Sequence, residues 1–440
     1  MNANGSSEQV RAALEAALAK AQELGYVTDE PKTKRPSDGQ LARRWIAQNP
    51  GCRYGLGEMR RYRDGHWPAM GKETFRQSVL AMLQQAEAEG VRVTDRLLRS
   101  VIGLIETEVA LPAERWDANY DIIVCANGTL DLRTYTLREH RPDDYATAAL
   151  DYAYDPDARA PFFLAALLDA VPEAADFVQE FAGYCLVTDV SLETALWFYG
   201  PPGSGKSTII EGICRMLGPR AGVLSLAEVE QSRFALSGIV GKTLLVSTEQ
   251  PSLFMRSAYK LNALISGEPL SVERKYADPT VVRSTAKLLW AMNSLPRTDP
   301  GDGLFRRVLV VPFRQQIEDP DPELKARIAN ERAGILNWAL EGLRRLRARG
   351  RFDPPAVVRE ATRQFQQTCD VPAQFLAECC ELGGDYRVTG KALYDSYRAW
   401  CLDCGHQPMS ITSAAEHWQR LGLVRYRSEG RTYYKGARLR

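Results

Sequence analysis

The spacing of apolar residues changes several times along the chain, and each change marks a different kind of element. Residues 8–24 have helical period, with Gly25 placed to cap the helix. Residues 26–38 lose the period and carry two prolines and Lys32, Lys34 and Arg35, which reads as a linker. Residues 41–48, 74–89 and 95–108 return to helical spacing, and Arg60–Pro68 reads as a hairpin around Asp64-Gly65. Ile122–Leu132, with Asn127-Gly128 and a second alternating run behind it, predicts a small sheet, and Pro161–Thr188 is helical again.

The centre of the chain alternates short apolar runs with helical segments. Ala195–Tyr199, Thr243–Ser247, Leu288–Met292 and Val308–Val311 are the predicted strands, and Ser207–Leu217 is a helix stopped by Gly218. That alternation implies a mainly parallel α/β sheet. A long helix is expected over Glu323–Arg349, its arginines (Arg344, Arg345, Arg347, Arg349, with Arg351 beyond) forming a solvated face or, alternatively, a DNA contact. From Ala373 the pattern predicts three short helices and a ribbon. The last helix has a capping box, Ser413-x-x-Glu416, and ends near Gly422. Val424–Arg427 and Thr432–Tyr434 would form a two-stranded wing around Ser428-Glu-Gly430.

Composition narrows the class only a little. The 440 residues are 45% hydrophobic and 25% charged, which suits a soluble protein of several domains. A net charge of +1 gives no global attraction to nucleic acid, so any basic surface must be local. No apolar run approaches the ~20 residues of a membrane span, and the N-terminus lacks a signal pattern. Nine scattered cysteines fit a reducing cytosol, so a cytoplasmic protein is expected. Cys401-Leu-Asp-Cys404-Gly-His406 has no second pair at zinc spacing, so these read as core cysteines.

The candidate chemistry begins between the first central strand and its helix. Gly200-Pro201-Pro202-Gly203-Ser204-Gly205-Lys206-Ser207, followed by Thr208, is a Gly-x-x-x-x-Gly-Lys-Ser phosphate loop in strand–loop–helix context. Gly203 and Gly205 let backbone N–H groups face a polyphosphate, with the helix N-terminus behind them. Lys206 would reach the β/γ-phosphates of ATP, and the Ser207 hydroxyl would ligate Mg²⁺. Glu249 ends the strand Thr243–Ser247 as a Walker B acid would, beside the metal and the attacking water. Asn293 ends another buried strand, where it could bind a γ-phosphate or simply start an Asx-turn. Arg306 and Arg307 precede a strand as either an arginine finger or a solvated pair. Arg274, Lys275 and Tyr276 combine cations with an aromatic ring, a set suited to a single DNA strand or to a salt-bridged surface turn. From Arg420 onward seven Arg/Lys face one acid, Glu429, with Tyr426, Tyr433 and Tyr434 interleaved, which suits DNA contact by a wing and helix.

Taken in order, these segments resemble superfamily 3 DNA helicases, in particular the phage/plasmid primase–helicase family that includes the poxvirus primase–helicase. The carriers are Gly200–Ser207, Glu249, the segment Lys260 to Tyr276, Asn293, and Phe305-Arg-Arg-Val-x-x-x-Pro-Phe313. Asn127-Gly-Thr-Leu-Asp-Leu132, His140-Arg-Pro-x-Asp144 and Phe181-Ala-Gly-Tyr184 resemble the family's pre-ATPase segment, and Tyr397-Arg-Ala-Trp-Cys401 its terminal winged helix. The resemblance implies a multidomain α/β protein with an AAA+-like P-loop ATPase. It divides the chain into a helical region (1–120), a small α+β segment (121–185), the ATPase (186–352) and a winged helix (353–440). It further implies a homo-hexameric ring on single-stranded or forked DNA in a bacterial host cytosol, with a separate primase or polymerase as partner. Lys260, Arg274, Lys275 and Tyr276 would be the DNA contacts, and Arg307, with Arg306 next, the finger reaching a neighbour's nucleotide. Walker B has one acid where many relatives have two, which puts metal ligation and water activation both on Glu249. With about 120 residues before the first matching segment and no pair of metal-binding aspartates in a strand, primase catalysis is not expected. The two other functions compatible with the motifs are an initiator or loader ATPase that does not unwind, and a P-loop ATPase directed at protein.

Overall fold

The computed structural model describes residues 5–24, 35–231, 238–239, 241–250, 254–255, 259–274, 277–298 and 303–440. Gly25, the expected first cap, lies outside them. The chain divides into two compact units, one of Met1–Tyr54 and Met70–Ala110, the other of Gly55–Ala69 and Leu111–Arg440.

The first unit is helical, with helices at Gly5–Glu23, Asp38–Gln48, Lys72–Gln85 and Asp95–Glu108. The second of these starts three residues before its apolar period, because Ser37 and Gln40 form a reciprocal capping box. Leu41, Ala42 and Trp45 face inward, and Trp45 meets Phe75 edge-on at 5.2 Å.

The second unit opens with the expected tight turn, Asp64 and Gly65 both at positive φ (48° and 80°). A three-stranded antiparallel sheet follows, Ile122–Cys125, Gly128–Asp131 and Thr136–Arg138, and then helices at Pro161–Ala170 and Ala175–Tyr184. Five parallel strands make the central sheet: β1 (Ala195–Tyr199), β2 (Ala221–Val223), β3 (Leu244–Ser247), β4 (Lys287–Met292) and β5 (Val308–Pro312). They lie in the order β5-β1-β4-β3-β2. Because side chains alternate along a strand, the sheet feeds two cores. Leu196, Phe198, Leu244, Val246, Leu289 and Ala291 pack against the helices on one face. Trp197, Leu245, Leu288, Trp290, Val308 and Val310 fill the other, where Trp197 stacks on Trp290 at 6.2 Å.

Lys287 sits buried at the base of β4. Its ammonium donates to the Val187 carbonyl and lies 4.4 Å from the Tyr184 ring centre. Burial pushes its pKa down to about 7. The unfolded lysine titrates near its ordinary value of about 10.4, so between these values the unfolded chain holds a proton that the folded chain lacks. Stability should therefore rise with pH across that window. Cys125, Cys185 and Cys214, pushed up to about 12 by burial, oppose the rise once unfolded thiols ionise. Urea midpoints measured from about pH 7 to pH 8.5 should climb less in Lys287→Met than in the parent. Equal slopes would place the lysine proton elsewhere.

The long helix expected over Glu323–Arg349 is broken into Leu324–Ala329 and Arg332–Arg349. Its arginines are exposed, as expected of a solvated face, but each is also tethered. Arg344 covers the Tyr135 ring at 4.2 Å, Arg345 reaches Glu180 at 3.3 Å, Arg347 pairs with Asp121 at 2.7 Å, and Arg349 bonds Glu180. They tie the helix to segments more than 160 residues earlier in the chain.

In the tail, helices Val371–Cys379, Gly390–Asp403 and Ile411–Arg420 pack on strands β6 (Cys380–Thr389), β7 (Val424–Ser428) and β8 (Arg431–Leu439), ordered β6-β8-β7. The last helix is capped by Ser410, which accepts from Ser413 N at 3.1 Å, so the cap lies three residues before the expected Ser413. Among the described residues no helix is long and apolar enough to cross a membrane.

Candidate nucleotide and nucleic-acid site

β1 delivers the loop Gly200–Gly205 to the carboxyl edge of the sheet, and helix α1 (Lys206–Leu217) leaves from it. Gly203 and Gly205 adopt φ of 74° and 85°, a left-handed turn that side-chain-bearing residues resist, so the loop can curl before α1 begins. Neighbouring backbone braces it. Gly200 N donates to Met292 O (3.3 Å), Ile317 N to Gly203 O (3.0 Å) and Gln316 Nε2 to Pro202 O (2.9 Å). At Gly200 a Cβ would lie 1.9 Å from the Phe313 carbonyl oxygen. Gly200→Ala should therefore displace the loop at a cost on the order of 1–3 kcal/mol. An unchanged thermal midpoint in that variant would contradict the packing described.

Lys206 is buried, and desolvation pulls its pKa below the ordinary lysine value. Its ammonium donates to Gly200 O (2.8 Å), Pro201 O (2.7 Å) and Ser204 Oγ (3.1 Å). These are oxygens of its own loop, so the cation is held where a polyphosphate laid along the loop would meet it. Ser207 and Thr208 follow in the first turn of α1, both half-buried.

Register brings the other candidates to the same edge. Met292 of β4 is level with Tyr199 of β1, so Asn293 emerges beside Gly200, and it is exposed. Ser247 of β3 is level with Trp290, so Glu249, two residues further, ends near the level of Met292. Glu249 is exposed too, and its carbonyl accepts from Ser247 Oγ at 2.8 Å. β4 lies between β1 and β3, which separates Glu249 from the loop by about two strand spacings, roughly 10 Å.

Arg306 and Arg307 sit at the opposite edge. Val308, just after them, pairs with Ala195 at the start of β1. Arg307 is thus about 20 Å along the strand direction from Gly200, by six residues of strand rise. It is held: Nε donates to Glu193 Oε2 and Ser266 Oγ (both 2.9 Å), Nη2 lies 2.8 Å from Glu193, and Nη1 donates to Gly303 O (3.1 Å). Arg306 is exposed. Glu193, at φ 42° in the turn before β1, carries no pattern that would have singled it out from the sequence.

Of the expected DNA contacts, Lys260 is exposed on the helix Tyr259–Ser266. Pro269–Arg274 pairs antiparallel with Ala277–Arg283, a hairpin with a bulge between Val272 and Arg274. Lys275 and Tyr276 lie outside the described residues. In the tail, Lys391, Arg425 and Arg431 line a cleft of about 730 Å³ floored by Ala415, Trp418 and Tyr434. On β7 and β8, Tyr426 and Tyr433 stack at 5.6 Å. Lys391 joins this basic group from 34 residues before Arg425, so the sequence alone did not connect them.

Comparison with known proteins covers most of the chain in pieces. Residues 40–172 match the family model described as D5 N terminal like, and residues 198–307 match a family described only as being of unknown function. A 122-residue stretch is 32% identical to replication protein E1 of cottontail rabbit papillomavirus (strain Kansas), spanning 27% of this chain and 20% of that protein. The chain thus spans about a fifth of the length of that relative. Among solved structures, the apo NrS-1 C-terminal region superposes with a TM-score of 0.50 at 11% identity, covering 92% of this chain and 99% of that one. That likeness shows a shared fold.

Proposed function

Since the chain is a D5-like member of the phage/plasmid primase–helicase family, we propose that it is an ATP-dependent replicative DNA helicase of a mobile element, working as a homo-hexameric ring. The observation that carries this is the meeting of Gly200–Ser207, Asn293 and Glu249 at one edge of a five-stranded parallel sheet. In this reading the sheet and its loop form an AAA+-like P-loop ATPase.

The residues suit ATP and Mg²⁺. The loop's N–H groups and the α1 N-terminus would hold the phosphates, and Lys206 would exchange its contacts with Gly200 O and Pro201 O for phosphate oxygens. Ser207 Oγ would ligate Mg²⁺, which neutralises charge developing on the phosphates. Glu249 would orient and deprotonate the attacking water, and Asn293 would fix the γ-phosphate side of the site. Arg307, with Arg306 beside it, stands too far from its own loop to serve it. A neighbour's nucleotide is the target it can reach in a ring. Arg274, Lys275, Tyr276 and Lys260 would contact the DNA strand, the first of them from the strand Pro269–Arg274. The tail, with its helices and basic ribbon, would act as a winged helix on DNA.

Steady-state ATP hydrolysis measured with and without single-stranded DNA tests the reading. DNA should raise the rate several-fold in the parent protein and leave Lys206→Ala inactive. A parent rate indifferent to DNA would point instead to a protein-directed ATPase.

A further inference from the structure

Side chains alternate between the two faces of the tail sheet. Val388 of β6 and Tyr434 of β8, directly paired, are buried with Trp418 and Tyr397 of the tail's helices. The residues of opposite parity, Arg387 and Thr389, Tyr433 and Lys435, Val424 and Tyr426, are exposed or half-buried. Register sets them in two rows across the strands. Thr389, Tyr433 and Tyr426 make one row, and Arg387, Lys435 and Val424 make the next.

Neither row is what a merely solvated face needs. Arg387 stands directly opposite Lys435, and like charges in that position destabilise a sheet. Neither has an ion-pair partner among the described residues. Glu381 is taken by Arg438 at 2.9 Å, and Asp385 lies in the stretch of β6 where the register shifts. β7 and β8 carry Arg425, Arg427 and Arg431 as well, with Glu429 the one acid from Val424 to Leu439. In the other row the rings of Tyr426 and Tyr433 lie 5.6 Å apart, their planes 21° from parallel. β7 is the edge strand, so this short column of rings ends at the rim of the sheet, at Tyr426. The rows are two residues apart along the strands, about 7 Å, within the reach of a nucleotide's phosphate and its own base.

We infer that this face binds single-stranded DNA, one backbone phosphate lying between Arg387 and Lys435 and a base stacking on the Tyr426–Tyr433 column. A phosphate there turns the like-charge pair into a clamp. In a duplex the bases are already stacked on one another, so only an unpaired strand offers its ring faces to the tyrosines. The inference rests on the proposed DNA contact of the tail and adds to it the surface and the form of DNA. The cleft lined by Lys391 and Trp418 belongs to the opposite face, where Arg425 is level with Tyr434.

Fluorescence anisotropy of an oligothymidylate and of a blunt duplex of equal length, without ATP, tests the surface. The full chain should carry Arg274→Ala and Lys275→Ala, so that the expected hairpin contacts do not mask the tail. In that background Tyr426→Ala with Tyr433→Ala should weaken single-strand binding by about 5-fold or more and leave duplex binding unchanged. Tyr426→Phe with Tyr433→Phe should keep the affinity, because the rings remain. Arg387→Ala with Lys435→Ala should lower the salt slope of single-strand binding by about 0.7, the share of one phosphate. A strand carrying 5-iodouracil should photo-crosslink to Tyr426 or Tyr433. Unchanged single-strand affinity in the double alanine variant, equal losses for strand and duplex, or crosslinks only elsewhere would overturn the inference. If the double alanine variant does not fold, the salt slope and the crosslinks decide. The readout needs no ATP, so a chain that passes it yet leaves forked DNA annealed counts against the helicase reading alone.

Discussion

Glu249→Gln is expected to lower the turnover of ATP hydrolysis by about 10²- to 10⁴-fold while leaving ATP binding nearly intact. The amide preserves the shape of the side chain but can neither accept the water's proton nor carry the charge that supports Mg²⁺. Glu249 is the acid that follows β3, and no second carboxylate stands beside it in Ser247-Thr248-Glu249-Gln250. Thr248 cannot substitute, and Gln250 is buried with its side-chain oxygen accepting from Leu226 N at 3.1 Å. The loss should therefore be larger than in a site where two acids share the work. ATP affinity and single-turnover hydrolysis, measured separately, check it. Near-normal turnover in Glu249→Gln would remove this residue from the water-activating role.

The second large effect concerns the edge of the sheet away from the loop. Removing both guanidinium groups, Arg306→Ala with Arg307→Ala, should cost about 10³- to 10⁵-fold in turnover if they complete a neighbour's site. Arg307 should account for most of it. Glu193, Ser266 and Gly303 hold its fork in place and still leave N–H donors over, so it is positioned before any nucleotide arrives. Arg306, exposed and without such ties among the described residues, should cost less when replaced. Because the finger acts between subunits, mixing the double variant with Lys206→Ala should restore part of the activity that each lacks alone. Two inactive proteins that stay inactive when mixed, or a double variant that hydrolyses normally, would contradict the shared site.

Much of this arrangement was legible in the residues. The glycine turn between β1 and α1, four of the five central strands and the tail's three helices follow from glycine placement and apolar spacing. β2 was not legible, because Ala221-Gly-Val223 is too short and too exposed to show any alternation. β6 escaped for a related reason: Gly383-Gly384 and a register shift between Leu382 and Arg387 interrupt its period. The tethers of the exposed arginines in Arg332–Arg349 were not legible because their partners, Tyr135, Asp121 and Glu180, stand far back in the sequence. The same distance hid Glu193 as the partner of Arg307. Local pattern reports what a residue is beside in the chain, and these contacts are all made across it.

The most direct test of the central claim is ATP-driven strand displacement on a forked DNA duplex. The wild-type chain should separate the strands when ATP and Mg²⁺ are both present, and Lys206→Ala should not. If the wild-type protein hydrolyses ATP in response to DNA yet leaves the fork annealed, it is an initiator or loader and the helicase account is wrong.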